Sequence, residues 1–290
     1  MSETPTFSIR VHGAINEIDP AAWDRCAGAV DGLPPPNPFL SHAFLKVLET
    51  SDSASIRTGW MPKHLALEAD DGSILAVVPA YLKSHSQGEY VFDHGWADAF
   101  ERAGGNYYPK LQIAVPFTPA TGPRLLVGAE DDGADTRRMA IAGGIVSLCE
   151  KIGVSSAHLT FLPKNEWALL GEHNYLMRKD QQFHWFNDGY ETFDAFLDTL
   201  ASRKRKQIRK ERQQALAENG ITIEWITGSD LTEAHWDAFF DFYLDTGSRK
   251  WGRPYLTRRF FSEIGETFAD QTLLIMARRD GQYIAGALNF

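Results

Sequence analysis

Two Asp-Gly dipeptides, each set between apolar runs of strand character, constrain this chain more than any other feature. Asp71-Gly72 separates HLALEAD (64–70) from SILAVVPAYLK (73–83), and Asp280-Gly281 separates QTLLIMARR from QYIAGALNF. Asp-Gly readily enters the left-handed turn that joins two strands, so both stretches read as antiparallel hairpins. Each hairpin follows a strand and two helices. FSIRVHGAI (7–15), Pro20 to Ala27 and Ser41 to Glu49 precede the first, with Ser41 as an N-cap and Pro34 to Pro38 as a stiff link. ITIEWIT and helices near 232–246 and 257–268 precede the second. The order of elements repeats although the sequence does not.

After the first hairpin, LQIAVP and PRLLV read as short strands. Ala134 to Ile152 reads as a long helix, with Met139, Ile145, Leu148 and Ile152 near helical spacing. SAHLTFL (156–162) reads as a buried strand, followed by a short helix ending near Gly171 and a strand over Gln182 to Asn187. In that last strand Phe183 and Trp185 are expected in the core, and His184 as a satisfied core histidine. From Tyr190 the chain is helical almost throughout until Gly220, a good C-terminal residue. Strands alternating with helices around an early hairpin predict an α/β (α+β) fold with mixed sheets. Two domains are expected: residues 1–189, and residues 190–290 made of a basic linking helix and the first part of a second unit. That second unit is expected to be incomplete, since the chain stops on an apolar strand at Phe290.

A hydrophobic content of 43% over 290 residues supports substantial cores. The net charge of −9 argues against general affinity for DNA or for a membrane surface. Cys26 and Cys149 form no CxxC pair, and the nine histidines no HExxH pair, so a reducing compartment and no metal are expected. The N-terminus lacks a signal-peptide pattern and no run approaches the roughly 18 apolar residues of a membrane helix. A cytoplasmic protein without a transmembrane segment is the expectation.

Against this acidity stands SRKRKQIRKERQQA. Ser202 to Arg212 holds seven Lys or Arg and one acid, a net of +6, which leaves −15 for the other residues. On a helix the basic face covers about half the circumference, leaving an apolar stripe through Leu197, Ala201, Ile208 and Ala215. Arg205, Arg209 and Lys210 are candidates for binding a substrate phosphate or the acceptor end of a tRNA. The acidic body of the protein is the alternative partner.

Strand, two helices, hairpin, then strand-helix-strand is the order of the GNAT acyltransferase fold, and two such units in tandem are the plan of Fem-type aminoacyl transferases. GEYVFDHGWADAFERAGGNYYPKLQIAVPFTPATGPRLL (88–126), QQFHWFNDGY (181–190), RKRKQIRKER (203–212) and RKWGRPYLTRRFF (249–261) resemble a FemAB-like family of bacterial N-acyltransferases. The resemblance implies tandem GNAT-like units and transfer of an acyl or aminoacyl group to an amine. The donor would be acyl-CoA or aminoacyl-tRNA, and the acceptor a small molecule or peptide such as a cell-wall precursor. No tightly bound cofactor is implied. A non-catalytic module that binds tRNA or another polyanion through helix 203–212 is the alternative.

Within these segments, Asp93 or His94 suits proton relay from the amine, and Tyr107 or Tyr108 protonation of the leaving group. Asp93-His94 equally suits capping of the helix that follows. Lys110 opens the next strand, and prolines at 109, 116, 119 and 123 hold the following loop irregular. Thr118, Thr121, Gly122 and Arg124 there suit a phosphate or carboxylate, or else a rigid turn whose arginine pairs with an acid. Trp251 and Arg253 in a Gly/Pro loop suit substrate stacking and pairing, or packing between the units. The sequence (Q/R)xxGx(G/A), usual for donor binding in GNAT enzymes, is absent, and Gly143-Gly144 reads as close helix packing.

Overall fold

The hairpin around Asp71-Gly72 is the spine to which the rest of the first half attaches. The computed structural model describes residues 7–30, 32–91, 93–216, 220–249 and 252–290. The chain begins with β1 (Ser8–His12), α1 (Pro20–Cys26) and α2 (His42–Thr50). Asp19 caps α1 by accepting the Ala22 N–H at 2.8 Å, with Pro20 at the first helical position, and Ser41 caps α2 through Phe44 N–H at 3.2 Å. The outgoing arm of the hairpin is β2 (Trp60–Pro62) and β3 (His64–Glu68); the return arm is β4 (Ile74–Val78) and β5 (Ala80–Lys83). Each arm is longer or more broken than its sequence suggests. Pro79 has no N–H, so a rung is lost there and the arm can bend, while Lys63 N–H still reaches Ala80 O at 2.8 Å and carries the ladder across.

Next come α3 (His94–Arg102), β6 (Lys110–Ile113), α4 (Ala134–Ile152), β7 (Ala157–Leu159) and α5 (Lys164–Glu172). One sheet runs β1-β3-β4 and the other β2-β5-β6-β7, joined through the bent hairpin. All pairs are antiparallel except β6 and β7, which are parallel and need α4 as their crossover. A Cβ on Gly144 would lie 2.1 Å from Ile9 Cδ1, so this glycine lets α4 approach β1, whereas Gly143 faces open space. PRLLV makes one bridge rather than a strand, Val77 and Leu126 exchanging N–H···O bonds of 2.8 and 3.0 Å.

Gln182 to Asn187 is not a strand. β7 is three residues long and pairs with β6 on one side; among the described residues no strand joins its other edge, and Phe183 and Trp185 stay 90% and 64% exposed rather than buried. His184 is exposed as well and stacks on Phe186. The long helix expected from Tyr190 is two, α6 (Phe193–Asp198) and α7 (Ser202–Leu216), broken at 199–201.

The second half is β8 (Ile221–Thr227), α8 (Glu233–Arg249), α9 (Arg258–Thr267), β9 (Leu273–Arg279) and β10 (Gln282–Asn289). Its antiparallel sheet has the order β10-β9-β8. Asp280 (φ 50) and Gly281 (φ 78) are both left-handed, the two-residue hairpin turn that Asp-Gly favours. At the first hairpin Gly72 (φ 83) is left-handed but Asp71 is not among the positive-φ residues, and the ladder slips between Leu67 and Glu68.

Two cores result. One lies between α4 and the hairpin, around Leu65, Ile113, Ile141 and Ile145. The other runs from Trp23 and Phe44 into Trp236, Phe260, Phe261 and Met276. There α2 meets α9. Phe44 contacts the rings of Phe260, Phe268 and Phe290, and Thr257 N–H donates to Ser53 Oγ at 3.1 Å.

Candidate active site

Across the β5–β6 ladder Lys83 stands directly opposite Lys110, and on its other side Lys83 faces Trp60 of β2. Alternation sends all three side chains to one face, with Leu82 and Leu111 on the other. The next row on the first face is Tyr81, Gln112 and His158. Lys83, Lys110, Trp60 and Gln112 are all 0% exposed. Like charges directly opposite in a sheet repel, and a buried charge needs a partner, so this face must carry its own counter-ions.

They come from the segment between β5 and α3. Lys110 Nζ donates to Ser86 Oγ at 2.9 Å, Glu89 Oε2 at 2.7 Å and Asp93 Oδ2 at 2.6 Å, which uses all three of its donors. Tyr107 OH donates to the same Asp93 oxygen at 2.8 Å, and Tyr108 OH shares a 2.6 Å bond with Ser86. Asp93 occupies the N-cap position of α3, yet its carboxylate makes no capping bond and turns inward instead. The capping alternative therefore holds for its backbone alone, whose carbonyl accepts from Trp96 and Ala97 N–H.

The environment drives these groups apart. Burial raises Asp93, but hydrogen bonds from Lys110, Ser86 and Tyr107 and the Lys110 charge outweigh it and hold the carboxyl down at about 2. Glu89 moves the other way, raised by burial that Lys110 only partly offsets. Burial and the Asp93 contact push Tyr107 up, and His158 falls to about 4 through burial and the nearby Lys110. Lys83 is the outlier. Among the described residues its Nζ has a single hydrogen bond, to Gln87 O at 3.1 Å, and it sits 3.6 Å above the Trp60 ring. Burial, with Lys110 adding and Glu89 opposing, lowers it to about 7.

Among the described residues, four buried polar atoms here have no partner: Trp60 Nε1, Glu89 Oε1, Asp93 Oδ1 and Gln112 Oε1. Unpaired buried polar atoms are costly, and their concentration on one face marks a place where a bound molecule or water gains hydrogen bonds. Aromatic rings cover it. Phe117 lies 5.4 Å from Trp60 and stacks at 5.0 Å on Tyr255, which also meets Tyr90. Phe117 (φ 60) and Tyr90 (φ 56) both hold left-handed backbone, which a bulky side chain adopts at a cost.

The structure brings Asp93, Tyr107, Tyr108 and Lys110 together and leaves His94 exposed outside the cluster. The loop after β6 is a closed brace. Arg124 is fully buried, donates to the carbonyls of Ala120, Gly122 and Pro123, and is lowered to about 10 by burial. Glu166 accepts the N–H groups of Arg124 and Leu125 at 2.9 and 2.6 Å. Gly122 N–H bonds Phe161 O, Thr118 Oγ1 its neighbour Pro116 O, and Thr121 Oγ1 Gln182. Arg124 is thus the rigid-turn arginine, with its side chain on carbonyls rather than on an acid. Trp251 lies outside the described residues; Arg253 is exposed, two residues from Tyr255.

On α7, Arg205 pairs with Asp198 at 2.7 Å and Arg209 with Asp194 at 2.9 Å, both exposed contacts to α6. Arg203, Lys204, Lys206 and Lys210 are exposed and have no acid within pairing distance among the described residues. Between α6 and α7 a shallow cleft of about 500 Å³ is lined by Phe193, Arg209 and Arg212.

A family model, FemAB-like, described as peptidoglycan biosynthesis/recognition, matches residues 14–290. The chain belongs to the FemAB-like family. Membership places it among the acyl or aminoacyl transferases of peptidoglycan biosynthesis, as the four sequence segments led one to expect. No curated protein matches this FemAB-like chain. Among solved structures it is similar to a Trypanosoma brucei acetyltransferase, at 12% identity and a TM-score of 0.36, covering 62% of this chain and 100% of that one. It is also similar to the GCN5-related glucosamine N-acetyltransferase region of a fungal multi-domain GH3 β-N-acetylglucosaminidase, at 13% identity and 0.31, covering 98% of this chain and 28% of that one. Neither likeness bears on individual residues.

Sequence reasoning missed Lys83, Ser86, Glu89 and His158. The available signals were slight: a lysine ending an otherwise apolar strand, and a Glu four residues before Asp93. Among the described residues no group of His, Cys, Asp and Glu is placed to hold a metal, and no helix is long and apolar enough to cross a membrane.

Proposed function

We propose that this FemAB-like protein transfers an aminoacyl group from aminoacyl-tRNA to an amine of a peptidoglycan precursor at the Lys83–Lys110 face. The observation that carries the reading is the pair of buried cross-strand lysines, one saturated by Asp93, Glu89 and Ser86 and the other left with a single hydrogen bond. Lys110 anchors Asp93 as a fixed negative charge that suits an incoming amine. Tyr108, bonded to Ser86, is the proton donor to the departing oxygen. The orphaned oxygens of Glu89 and Asp93 offer further acceptors for the amine hydrogens.

Two features favour a tRNA over acyl-CoA as donor. The crossover helix α4 opens among Glu130, Asp131 and Asp135, which pair with Arg137 and Arg138, so its N-terminal end is an unsuitable seat for a pyrophosphate. The α7 cations that have no acid partner among the described residues suit a polyanion, with the Phe193–Arg212 cleft beside them as a stacking surface for a base. Residues 1–189 and 190–290 are read as tandem GNAT-like units, supported by the recurrence of strand, two helices and hairpin in each. Free Cys26 and Cys149 suit a cytoplasmic setting.

The test is transfer by the purified chain from charged tRNA and, separately, from acetyl-CoA, to a muramyl peptide bearing a free amine. Turnover with tRNA that falls steeply with salt is expected. Turnover with acetyl-CoA alone overturns the donor assignment, and salt-dependent tRNA binding without any turnover favours the polyanion-binding module instead.

A further inference from the structure

We infer that Lys83 is the catalytic base of this site, accepting the proton that the acceptor amine loses as its new amide bond forms. This rests on the transferase reading above. The geometry separates it from the other ionisable groups on the face. Lys110 has three oxygen partners within 2.9 Å, which take up all of its donor positions. Asp93 Oδ2 accepts from both Lys110 at 2.6 Å and Tyr107 at 2.8 Å, so that oxygen is committed to the network. Lys83 alone combines full burial, one hydrogen bond and an aromatic face, which leaves its nitrogen free to gain or lose a proton without breaking a network.

The groups that face Lys83 from each side agree with this. Trp60 on β2 presents its ring, Lys110 on β6 opposes a second positive charge, Gln87 offers a carbonyl and Glu89 a carboxyl, and His85 lies two residues along the chain. Burial and Lys110 favour the neutral amine, while Glu89 keeps the charged form within reach. Phe117 is the part of the cover that touches Trp60. Its left-handed backbone belongs to a turn after Pro116, with Thr118 N–H donating to Val115 O at 3.4 Å and Phe117 N–H to Gly88 O at 3.2 Å, and its ring rests on Tyr255 and Trp60. Phe117 lies against the Trp60 ring over which the Lys83 nitrogen sits, so an amine that reaches that nitrogen has to displace this ring.

In the step itself the amine lone pair attacks the acyl carbon, and the carbonyl π pair moves onto oxygen. The nitrogen of that adduct carries a positive charge and an acidic proton, which passes to Lys83 Nζ. The adduct then re-forms its carbonyl and expels the ester oxygen, which takes the proton of Tyr108. Lys83 returns its proton to solvent and Tyr108 regains one before the next turnover.

Two measurements on the full chain decide this. With lysine labelled at 13Cε and Lys83 assigned through Lys83→Gln, the Lys83 resonance is expected to titrate near pH 7 in the free protein. An ammonium signal that persists beyond pH 9 overturns the inference. In the tRNA transfer assay, wild-type activity is expected to fall about tenfold per unit below that midpoint. Lys83→Ala should lose about 100-fold or more and lose this limb, and added methylamine should restore part of the rate. Lys83→Arg, which cannot surrender its charge, should not restore it. Folded Lys83→Gln that keeps wild-type rate and pH profile overturns the base assignment alone. Absence of turnover by the wild type with either donor sinks the transferase reading, and the base assignment with it.

Discussion

Lys83 and Lys110 stand opposite one another on adjacent strands, but Lys110 Nζ has three oxygen partners and Lys83 Nζ has one. The asymmetry makes Lys110 the anchor of a buried ion-pair network and leaves Lys83 with little to hold its charge. Several measurable consequences separate the two.

Lys110→Met should destabilise the fold strongly, because Glu89 and Asp93 remain buried without their shared ammonium. Removing one member of a buried ion pair typically costs about 3–5 kcal/mol. Urea unfolding of Lys110→Met beside the double variant Lys110→Met/Asp93→Asn checks this, with the double expected to recover part of the loss.

Lys83 should make the protein more stable as pH rises above neutrality. Its value of about 7 in the fold lies below the ordinary 10.5, so between these pH values the unfolded chain binds more protons than the native one. Stability then climbs with pH across that window, by on the order of 5 kcal/mol. Lys83→Gln should flatten the rise, as read from denaturant midpoints between pH 7 and 10.

Asp93 governs the acid side. Its carboxyl is held at about 2 against an ordinary 3.8, so its contribution is full above the ordinary value and is lost as pH falls from there toward 2. Glu89, raised by burial, works in the opposite sense and favours the fold when protonated. Asp93→Asn should remove the acid-side decline attributable to this group, which thermal melts between pH 2 and 5 would show.

Glu166→Ala should unfasten the 116–125 loop while leaving the lysine pair in place. Two buried backbone N–H groups lose their acceptor, at roughly 1–3 kcal/mol each. Hydrogen exchange at Arg124 and Leu125 should quicken well before global unfolding.

The two neighbouring glycines of α4 should respond differently to alanine. Gly143→Ala meets nothing and is expected to stabilise by about 0.5–1 kcal/mol through helix propensity. Gly144→Ala displaces the Ile9 side chain and should forfeit that gain or reverse it. Comparing their melting temperatures tests how closely α4 sits on β1.

Much of the fold was legible because local chemistry and burial agreed. The Asp-Gly turns, the Ser41 cap and the helical spacing over Ala134 to Ile152 each produced the expected element. The reading failed where apolar content was taken to mean burial. Phe183 and Trp185 look like core residues, but a strand needs a partner, and among the described residues none pairs with the outer edge of the three-residue β7. The helix over 190–219 broke at 199–201, where helical composition continued but the chain turned to pair Arg205 and Arg209 with α6.

The site divides along the same line. Asp93, Tyr107, Tyr108 and Lys110 lie in one sequence segment and were found there as candidates. Their bonds to one another depend on how β5, β6 and the segment before α3 fold together. Sequence by itself determined the repeated order of elements, the placement of a basic helix between the halves, and the FemAB-like segments. Tertiary structure decided which of these charges are used, because a lysine's proton affinity depends on what surrounds it and not on its place in the chain. Ladder register set Lys83 between Trp60 and Lys110, and burial then separated two chemically identical side chains into an anchor and an amine that can lose its proton.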